Sequence, residues 1–182
     1  ITSAMKMVSA AKLKRAQDAI TQMRPYAEKL QEILVNLTSG SDDNEGGDYS
    51  TERPVEKILI VAVTSNRGLC GGFNANVTKR CKVLVEDTYA DKAVSFFCIG
   101  KKVSEWLKLR DLNVVSSEIE IFNDLNFQTV TPIAESVMAE FVAGNYDKVV
   151  LVYNQFKNAA TQLVQEEQFL PCLLYTSPSP RD

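Results

Sequence analysis

The first 38 residues constrain the fold most, because they fit one helix that is too long for the core of a small domain. They contain no glycine and a single proline. Apolar residues recur at spacings close to the ~3.5-residue repeat of a coiled coil. This stripe comprises Ala16, Ala19, Met23, Ala27, Leu30, Leu34 and Leu37. At ~1.5 Å per residue, the helix would extend roughly 55 Å.

Two interpretations of this helix remain open. It either packs against its own domain or forms one half of a two-helix coiled coil, and its length favours the coiled coil. Small residues such as Ala4 and Ala11 would let a second helix approach closely. Pro25 should kink the helix, because a proline ring clashes with the carbonyl four residues earlier.

The rest of the chain predicts three further segments. Residues 39–54 form an acidic linker rich in glycine, residues 55–171 form a Rossmann-like α/β domain, and residues 172–182 are an unrelated or artefactual tail. Apolar strands alternate with helices in the α/β segment, which favours a mostly parallel sheet. We expect strands near residues 58–63, 93–99, 114–115 and 148–153, with a possible edge strand at 161–169.

The composition argues against several kinds of functional site. The chain has no histidine, the commonest general base and metal ligand. Its four cysteines form no C-x-x-C pair, so the spacing does not indicate a zinc or iron–sulfur site. No apolar run approaches the ~18 residues that a membrane-spanning helix needs. The net charge of −3 gives the whole chain no polyanion-binding signature.

A glycine-rich turn follows the first predicted strand and leads into a helix, which is the geometry of a phosphate-binding loop. The turn, residues 64–74, has the sequence TSNRGLCGGFN. It lacks both G-x-x-x-x-G-K-[ST] and G-x-G-x-x-G, so it offers no lysine and hydroxyl for phosphate and magnesium. A tight turn also needs glycine for left-handed backbone. A structural turn is therefore favoured over nucleotide binding, which stays open as an alternative.

Three segments resemble the gamma subunits of F-type ATP synthases. They are ITSAMKMVSAAK at residues 1–12, RPYA at 24–27 and RGLCGGFN at 67–74, in the family's order. The resemblance covers roughly residues 1–171. One departure is Asn66, where the family often has aspartate, and this puts a charge-dependent contact at that position in doubt. The resemblance implies that a segment precedes Ile1 and that the family's C-terminal helix lies beyond this sequence.

The family resemblance implies a long coiled-coil helix followed by a Rossmann-like α/β domain. It implies a non-catalytic central-stalk rotor subunit, with no cofactor, metal or small-molecule substrate of its own. Its partners would be the alpha and beta subunits of the catalytic ring, the epsilon subunit and the membrane c-ring. The subunit would lie on the inner face of an energy-transducing membrane, either a bacterial plasma membrane or, alternatively, the mitochondrial inner membrane.

The resemblance also implies two sets of residues that contact an acidic segment of beta. One set lies on the basic helix and one on the glycine-rich loop. Without the resemblance, the basic residues would be read as a solvated helix face and the loop as a plain turn. The predicted contact residues are Met5, Lys6, Lys12, Arg15, Arg67, Gly68, Leu69, Cys70, Gly71 and Gly72.

Two other functions are alternatives to a rotor subunit. A Rossmann-type enzyme with a helical arm would need a phosphate loop and catalytic groups, and the motifs for both are missing. A nucleic-acid adaptor would need more basic charge and stacking aromatics near the basic helix, and residues 1–24 contain no aromatic side chain. We therefore expect no nucleic-acid partner.

The missing phosphate-loop lysine gives the first prediction. The chain should neither hydrolyse ATP nor bind it tightly, because the glycine-rich turn lacks the phosphate-loop lysine and the sequence shows no base or metal set for catalysis. Equilibrium dialysis of the full chain against labelled ATP, with and without magnesium, measures this directly. Magnesium-dependent binding at micromolar concentrations would contradict the prediction and favour the Rossmann-type enzyme.

Overall fold

The computed structural model describes residues 1–39 and 47–173, with side chains described for 1–33 and 47–173. Most of the predicted acidic run and the tail from residue 174 lie outside the described residues. The chain divides into two compact units. One comprises Ile1–Glu45 with Leu174–Asp182, and the other is Gly46–Leu173.

The first unit is built on helix α1, Thr2–Ser39, which matches the predicted long helix. The helix continues through Pro25, as the family resemblance implied, although a proline was expected to kink it. Apolar side chains of the predicted stripe are exposed, with Met23 61% and Leu30 44% accessible. The described part of the stripe, from Ala16 to Leu30, therefore presents an unpacked apolar surface on α1. The coiled-coil partner of this helix stays a prediction.

The second unit contains the predicted α/β sheet. Four strands lie parallel, and the fifth pairs antiparallel to the fourth at one edge. The strand order is β3-β2-β1-β4-β5, so β1 occupies the centre. The strands are β1 (Lys57–Val63), β2 (Ala93–Ile99), β3 (Val114–Glu118), β4 (Lys148–Asn158) and β5 (Thr161–Leu170). The predicted fold class is thus confirmed, including the edge strand.

Three helices connect these strands close to their predicted bounds. They are α2 (Phe73–Val83), α3 (Lys101–Lys108) and α4 (Phe127–Val142). Two short turns were not predicted, a π-helical turn at Leu84–Thr88 and a 3-10 turn at Glu120–Asn123. At the end of α4, the amide of Gly144 donates to Phe141 O and that of Asn145 to Glu140 O. Gly144 has φ +81°, the left-handed conformation that such a helix end requires.

The sheet separates two hydrophobic layers. One packs β1, β2 and β4 against α2 and α3, and it includes Phe96 and the thiols of Cys81 and Cys98. The other packs the opposite face against α4, with Phe97 and Phe141 buried. Trp106 is partly buried against the first layer. Burial raises the pKa of Cys81 to about 12 and that of Cys98 to about 11, so both behave as small apolar side chains.

Arg53 and Asp147 hold the start of β1 against the end of α4. Asp147 Oδ2 accepts hydrogen bonds from the amides of Glu56 (3.0 Å) and Lys57 (2.9 Å). The Nη2 atom of Arg53 donates to the carbonyls of Phe141 (2.8 Å) and Tyr146 (2.7 Å). Arg53 Nε lies 3.6 Å from Asp147 Oδ1. Arg53 Nε is buried without a hydrogen-bond partner, so this carboxylate compensates its charge at longer range.

These contacts determine the ionisation of Asp147. Burial raises the pKa of its carboxyl group, but the amides of Lys57 and Glu56 and the nearby cations more than offset that effect. The net result is a pKa below the ordinary aspartate value. Because the folded pKa is depressed, the carboxylate stabilises the fold above the pKa of an unfolded aspartate. That stabilisation is lost as the pH falls through the folded pKa.

The second prediction follows from this carboxylate. Replacing Asp147 by asparagine should lower the free energy of unfolding at neutral pH by roughly 2–3 kcal/mol, because it weakens charge-assisted hydrogen bonds and leaves Arg53 uncompensated. The difference from the wild type should shrink as the pH falls below the ordinary aspartate value. Urea denaturation followed by circular dichroism at neutral and acidic pH measures both effects.

The matched control is Asp87→Asn, because Asp87 is an exposed carboxylate in the same unit. It removes the same charge and should change the stability by less than about 0.5 kcal/mol. An Asp147→Asn variant as stable as this control at neutral pH would show that the contacts of Asp147 contribute no net stability.

Candidate functional site

The glycine-rich loop emerges from the carboxyl end of the central strand β1 and leads into α2. Residues 67–72 are all exposed, and the side chain of Leu69 is 109% accessible. Leu69 and Gly71 both adopt left-handed backbone, with φ of 58° and 59°. A left-handed conformation costs about 1–2 kcal/mol at a residue with a side chain. Leu69 is therefore held outwards in a conformation that the surrounding loop must stabilise.

Asn74, in the first turn of α2, supplies that stabilisation by bracing the loop from inside. Its Oδ1 accepts a hydrogen bond from the amide of Ser65 at 2.9 Å. Its Nδ2 donates to Arg67 O at 3.1 Å and lies 3.3 Å from Cys70 Sγ. The hydroxyl of Ser65 donates to the same carbonyl of Arg67 at 2.5 Å. One asparagine thus ties both ends of the loop together.

Asn66 connects this loop to two other elements. Its Oδ1 accepts from the amide of Lys101 at 2.9 Å, and its Nδ2 donates to Ile119 O at 2.8 Å. An aspartate at this position could accept from Lys101 but could not donate to Ile119. The departure from the aspartate common in the family therefore adds a neutral bridge between the loop and the segment after β3.

The start of α3 is occupied by the loop's own residues. Besides Asn66, Ser65 O accepts from the amide of Lys102 (3.2 Å) and Thr64 Oγ1 accepts from that of Val103 (3.0 Å). The first three amides of α3 are thus already bonded. Free amides at a helix start are what hold a phosphate in nucleotide-binding domains. This arrangement removes the α3 start as a phosphate site. The glycine-rich turn itself leads into α2, so the nucleotide-binding alternative stays open.

Gly100 makes this close approach possible. It lies immediately before α3 with φ +101°, and a Cβ atom there would lie 2.0 Å from Thr64 O. No side chain fits at that distance, so any other residue would push α3 away from the loop. The amide of Thr64 also donates to Ile99 O at 2.8 Å. Together these contacts fix the direction in which the loop leaves the sheet.

The predicted contact residues fall in two places. The structure brings the six loop residues, Arg67 to Gly72, together on one exposed turn. On α1, Met5 is 65% accessible, and Lys6, Lys12 and Arg15 are also exposed. Met5 and Lys12 are seven residues apart and therefore share one side of the helix. The two sets belong to different units, so their grouping into one contact surface stays a prediction.

The sequence analysis missed the residues that shape the loop. It treated Asn74 only as the last residue of the motif and Asn66 only as a departure from the family. It did not identify Thr64 or Gly100. The signal it could have used is polar residues directly after a buried strand, since parallel strands end at one edge of a sheet. Their partners lie up to 53 residues away, so periodicity alone does not reveal them.

The part of the chain that the structure describes contains neither a candidate metal site nor a candidate membrane-spanning helix. Among residues 1–39 and 47–173, no cluster of three or more acidic or cysteine side chains could hold a metal ion. In the same part of the chain, no helix combines the length and apolar character needed to cross a membrane. The described site is therefore a surface of exposed side chains on a braced loop, suited to contact with another macromolecule.

Comparisons with known proteins identify the family of the chain. The sequence profile of the ATP synthase family matches residues 1–180. The ATP synthase gamma chain of Flavobacterium psychrophilum is 56% identical over 171 residues, and that of Flavobacterium johnsoniae is 57% identical over 171 residues. Each alignment covers 94% of this chain and 59% of the relative. The chain thus spans about 59% of the length of these relatives.

A solved structure supports the same family. The structure of the Tetrahymena thermophila mitochondrial ATP synthase, central stalk and c-ring, contains a chain that is 31% identical, with a TM-score of 0.71. The match covers 93% of this chain and 72% of that one. Given this fold and relatives more than half identical in sequence, the chain belongs to the ATP synthase gamma chain family.

Proposed function

We propose that the protein to which this chain belongs is the central-stalk rotor subunit of an ATP synthase. Rotation driven by ion flow through the membrane would turn the subunit inside a ring of alpha and beta subunits. The observation that carries this proposal is α1, a helix of 38 residues that exposes apolar side chains such as Met5, Met23 and Leu30 over its described part, residues 1–33. Such a helix gains little stability from its own backbone and needs a partner surface.

The proposed role is mechanical rather than catalytic. An asymmetric shaft makes different contacts with each beta subunit and so stabilises different nucleotide-binding states in turn. A shaft can shift those states only as far as its contacts differ between them. Phosphoryl chemistry would take place in beta. Residues 1–38 would form the shaft, and residues 55–171 the α/β domain nearer the epsilon subunit and the c-ring.

We assign the contact with beta to the loop residues Arg67 to Gly72 and to the basic stretch of α1. The first 17 residues carry Lys6, Lys12, Lys14 and Arg15 and no acidic residue, so they suit an acidic segment. Exposed ion pairs contribute only about 0–1 kcal/mol each. Such contacts can form and break as the shaft turns. The braced loop adds a rigid apolar tip at Leu69.

The subunit would lie at the inner face of an energy-transducing membrane, held there by its partners. The relatives reported above come from bacteria, and the solved structure comes from a mitochondrion. A bacterial plasma membrane is the location we favour, because the more similar sequences are bacterial. The coupling ion depends on the membrane ring and is independent of the residues described.

The third prediction tests the rotor assignment in a complete complex. Residues 1–171 should replace the matching part of the F. psychrophilum gamma chain without loss of coupled ATP synthesis, because they would supply equivalent shaft and loop contacts. Proton pumping and ATP synthesis by reconstituted vesicles are the measurements. A complex that assembles and hydrolyses ATP at the parental rate but neither pumps nor synthesises would overturn the assignment.

The fourth prediction tests the loop contact in that chimera. A disulfide between Cys70 and a cysteine placed in the acidic segment of beta should stop ATP-driven rotation, and reduction should restore it. Cys70 is exposed, whereas Cys81 and Cys98 are buried with raised pKa values, so they should not compete. Because residue 172 lies outside the exchanged segment, its exposed thiol is absent.

The control is a Cys70→Ser chimera carrying the same cysteine in beta, which should rotate under oxidising conditions. Hydrolysis and pumping that continue at full rate through the Cys70 crosslink would show that the loop does not move relative to beta. That result would contradict a rotor, whereas a failure to crosslink would reject only the proposed contact of the loop.

A further inference from the structure

The outer side of α4 carries an apolar groove that the α/β unit leaves uncovered. Its volume is about 380 Å³, and it is lined by Tyr49, Glu135, Met138, Ala139, Val142 and Ala143. Tyr49 and Val142 are each 41% accessible. Phe141 and Val137 point to the other side of the helix, into the core. The groove is therefore a separate apolar surface on a helix whose opposite side already packs on the sheet.

More exposed apolar side chains precede this groove. Leu125 is 63% and Phe127 73% accessible, and Phe122 is 40% accessible. The backbone that carries them is well held. Asn126 and Thr129 form a reciprocal capping box at the start of α4, and Thr129 Oγ1 also donates to Asp124 O at 2.7 Å. The polar side chains thus fix the turn while the apolar ones face outwards, which gives a preorganised surface.

The segment that carries the groove has no basic residue of its own, although Arg53 and Lys57 from outside it donate to the carbonyls of Phe141 and Gly144 at the end of α4. Residues 111–147 contain no lysine or arginine. Its carboxylates include Glu120, Asp124, Glu135 and Glu140, all of them exposed. Among the described side chains, no cation lies within ion-pair distance of these four. We call the exposed side chains of residues 120–143, together with Tyr49, the acidic face.

We propose that the acidic face binds a basic amphipathic helix of a partner protein. Apolar side chains spaced three or four residues apart would enter the groove, as in other helix-in-groove complexes. Lysine or arginine residues flanking them would form ion pairs with these exposed carboxylates, beginning with Glu135 at the groove wall. This inference does not depend on the proposed rotor function, because it rests only on the groove and on the charges around it.

The same charges argue against two other occupants. A nucleic acid would be repelled, because its affinity comes from neutralising phosphates with lysine and arginine. An anionic membrane surface would be repelled for the same reason. A second copy of this chain is a further competitor, since the first 17 residues of α1 are themselves basic and carry exposed Met5, Met7 and Val8.

The experiment measures binding of a synthetic peptide to the full chain by fluorescence anisotropy. The probe is a helical peptide with leucine at every third or fourth position and lysine between. We expect saturable binding that weakens with added salt. A peptide of the same composition with its leucines scrambled should bind about tenfold more weakly, because apolar anchors dominate such interfaces.

Lysine substitutions in α4 distinguish a contact within the groove from a general effect of added charge. Ala139→Lys and Glu135→Lys each place a cation in the groove and should weaken peptide binding about tenfold. Ser136→Lys places the same charge on an exposed position of α4 that does not line the groove, so its effect should be much smaller. Thermal unfolding of each variant checks that α4 stays folded.

Three results would overturn the proposal. They are no saturable binding of the helical peptide, equal binding of the scrambled peptide, and equal weakening by Ala139→Lys and Ser136→Lys. Self-association of the chain that Ala139→Lys abolishes, seen by sedimentation, would assign the acidic face to a second copy and would also overturn it.

Discussion

The arrangement of the functional loop depends on the close approach of Gly100 to the carbonyl of Thr64. Because Gly100 has no Cβ, α3 can begin directly against the end of β1. Its first three amides then bond to Thr64, Ser65 and Asn66. These α3 amides give the loop an internal support. The glycine-rich loop is free to turn outwards and present Leu69 and Cys70.

The two units differ in how much of their apolar surface they bury. The α/β unit buries apolar residues on both faces of its sheet, and Arg53 with Asp147 holds its first strand against α4. Helix α1 buries little of its stripe. A helix of this length is stable only when its apolar side is covered. One unit thus has a hydrophobic core of its own, while the apolar stripe of the other predicts a partner helix.

The sequence was sufficient for the fold because its strongest signals are local. The uninterrupted apolar run at residues 58–63 predicts a central parallel strand, and the long repeat in residues 1–38 predicts α1. The C-terminal end of α4, at Val142, agrees with the glycine at position 144, because a glycine commonly follows the end of a helix. The short 3-10 turn at Glu120–Asn123 has no comparable repeat and was missed.

The site was harder to predict because its supports join distant parts of the chain. Glycines at 68, 71 and 72 indicate a tight turn, and the exposed tip follows from that. The double role of Asn66 depends on Lys101 and Ile119, which only the folded sheet brings near. Arg53 was assigned to a linker, yet it bonds to carbonyls 88 and 93 residues later. Hydrophobic periodicity contains no information about such pairs.

Charge of opposite sign is divided between two surfaces of the chain. The basic stretch of α1 and the acidic face on α4 are separate surfaces of opposite sign. Neither includes histidine, the residue whose ordinary pKa of ~6.5 makes it a switch near neutral pH. The loop is braced by neutral amides of Asn66 and Asn74, which do not titrate. For the rotor we propose, ionic strength would modulate these exposed contacts, because salt screens charges at the surface.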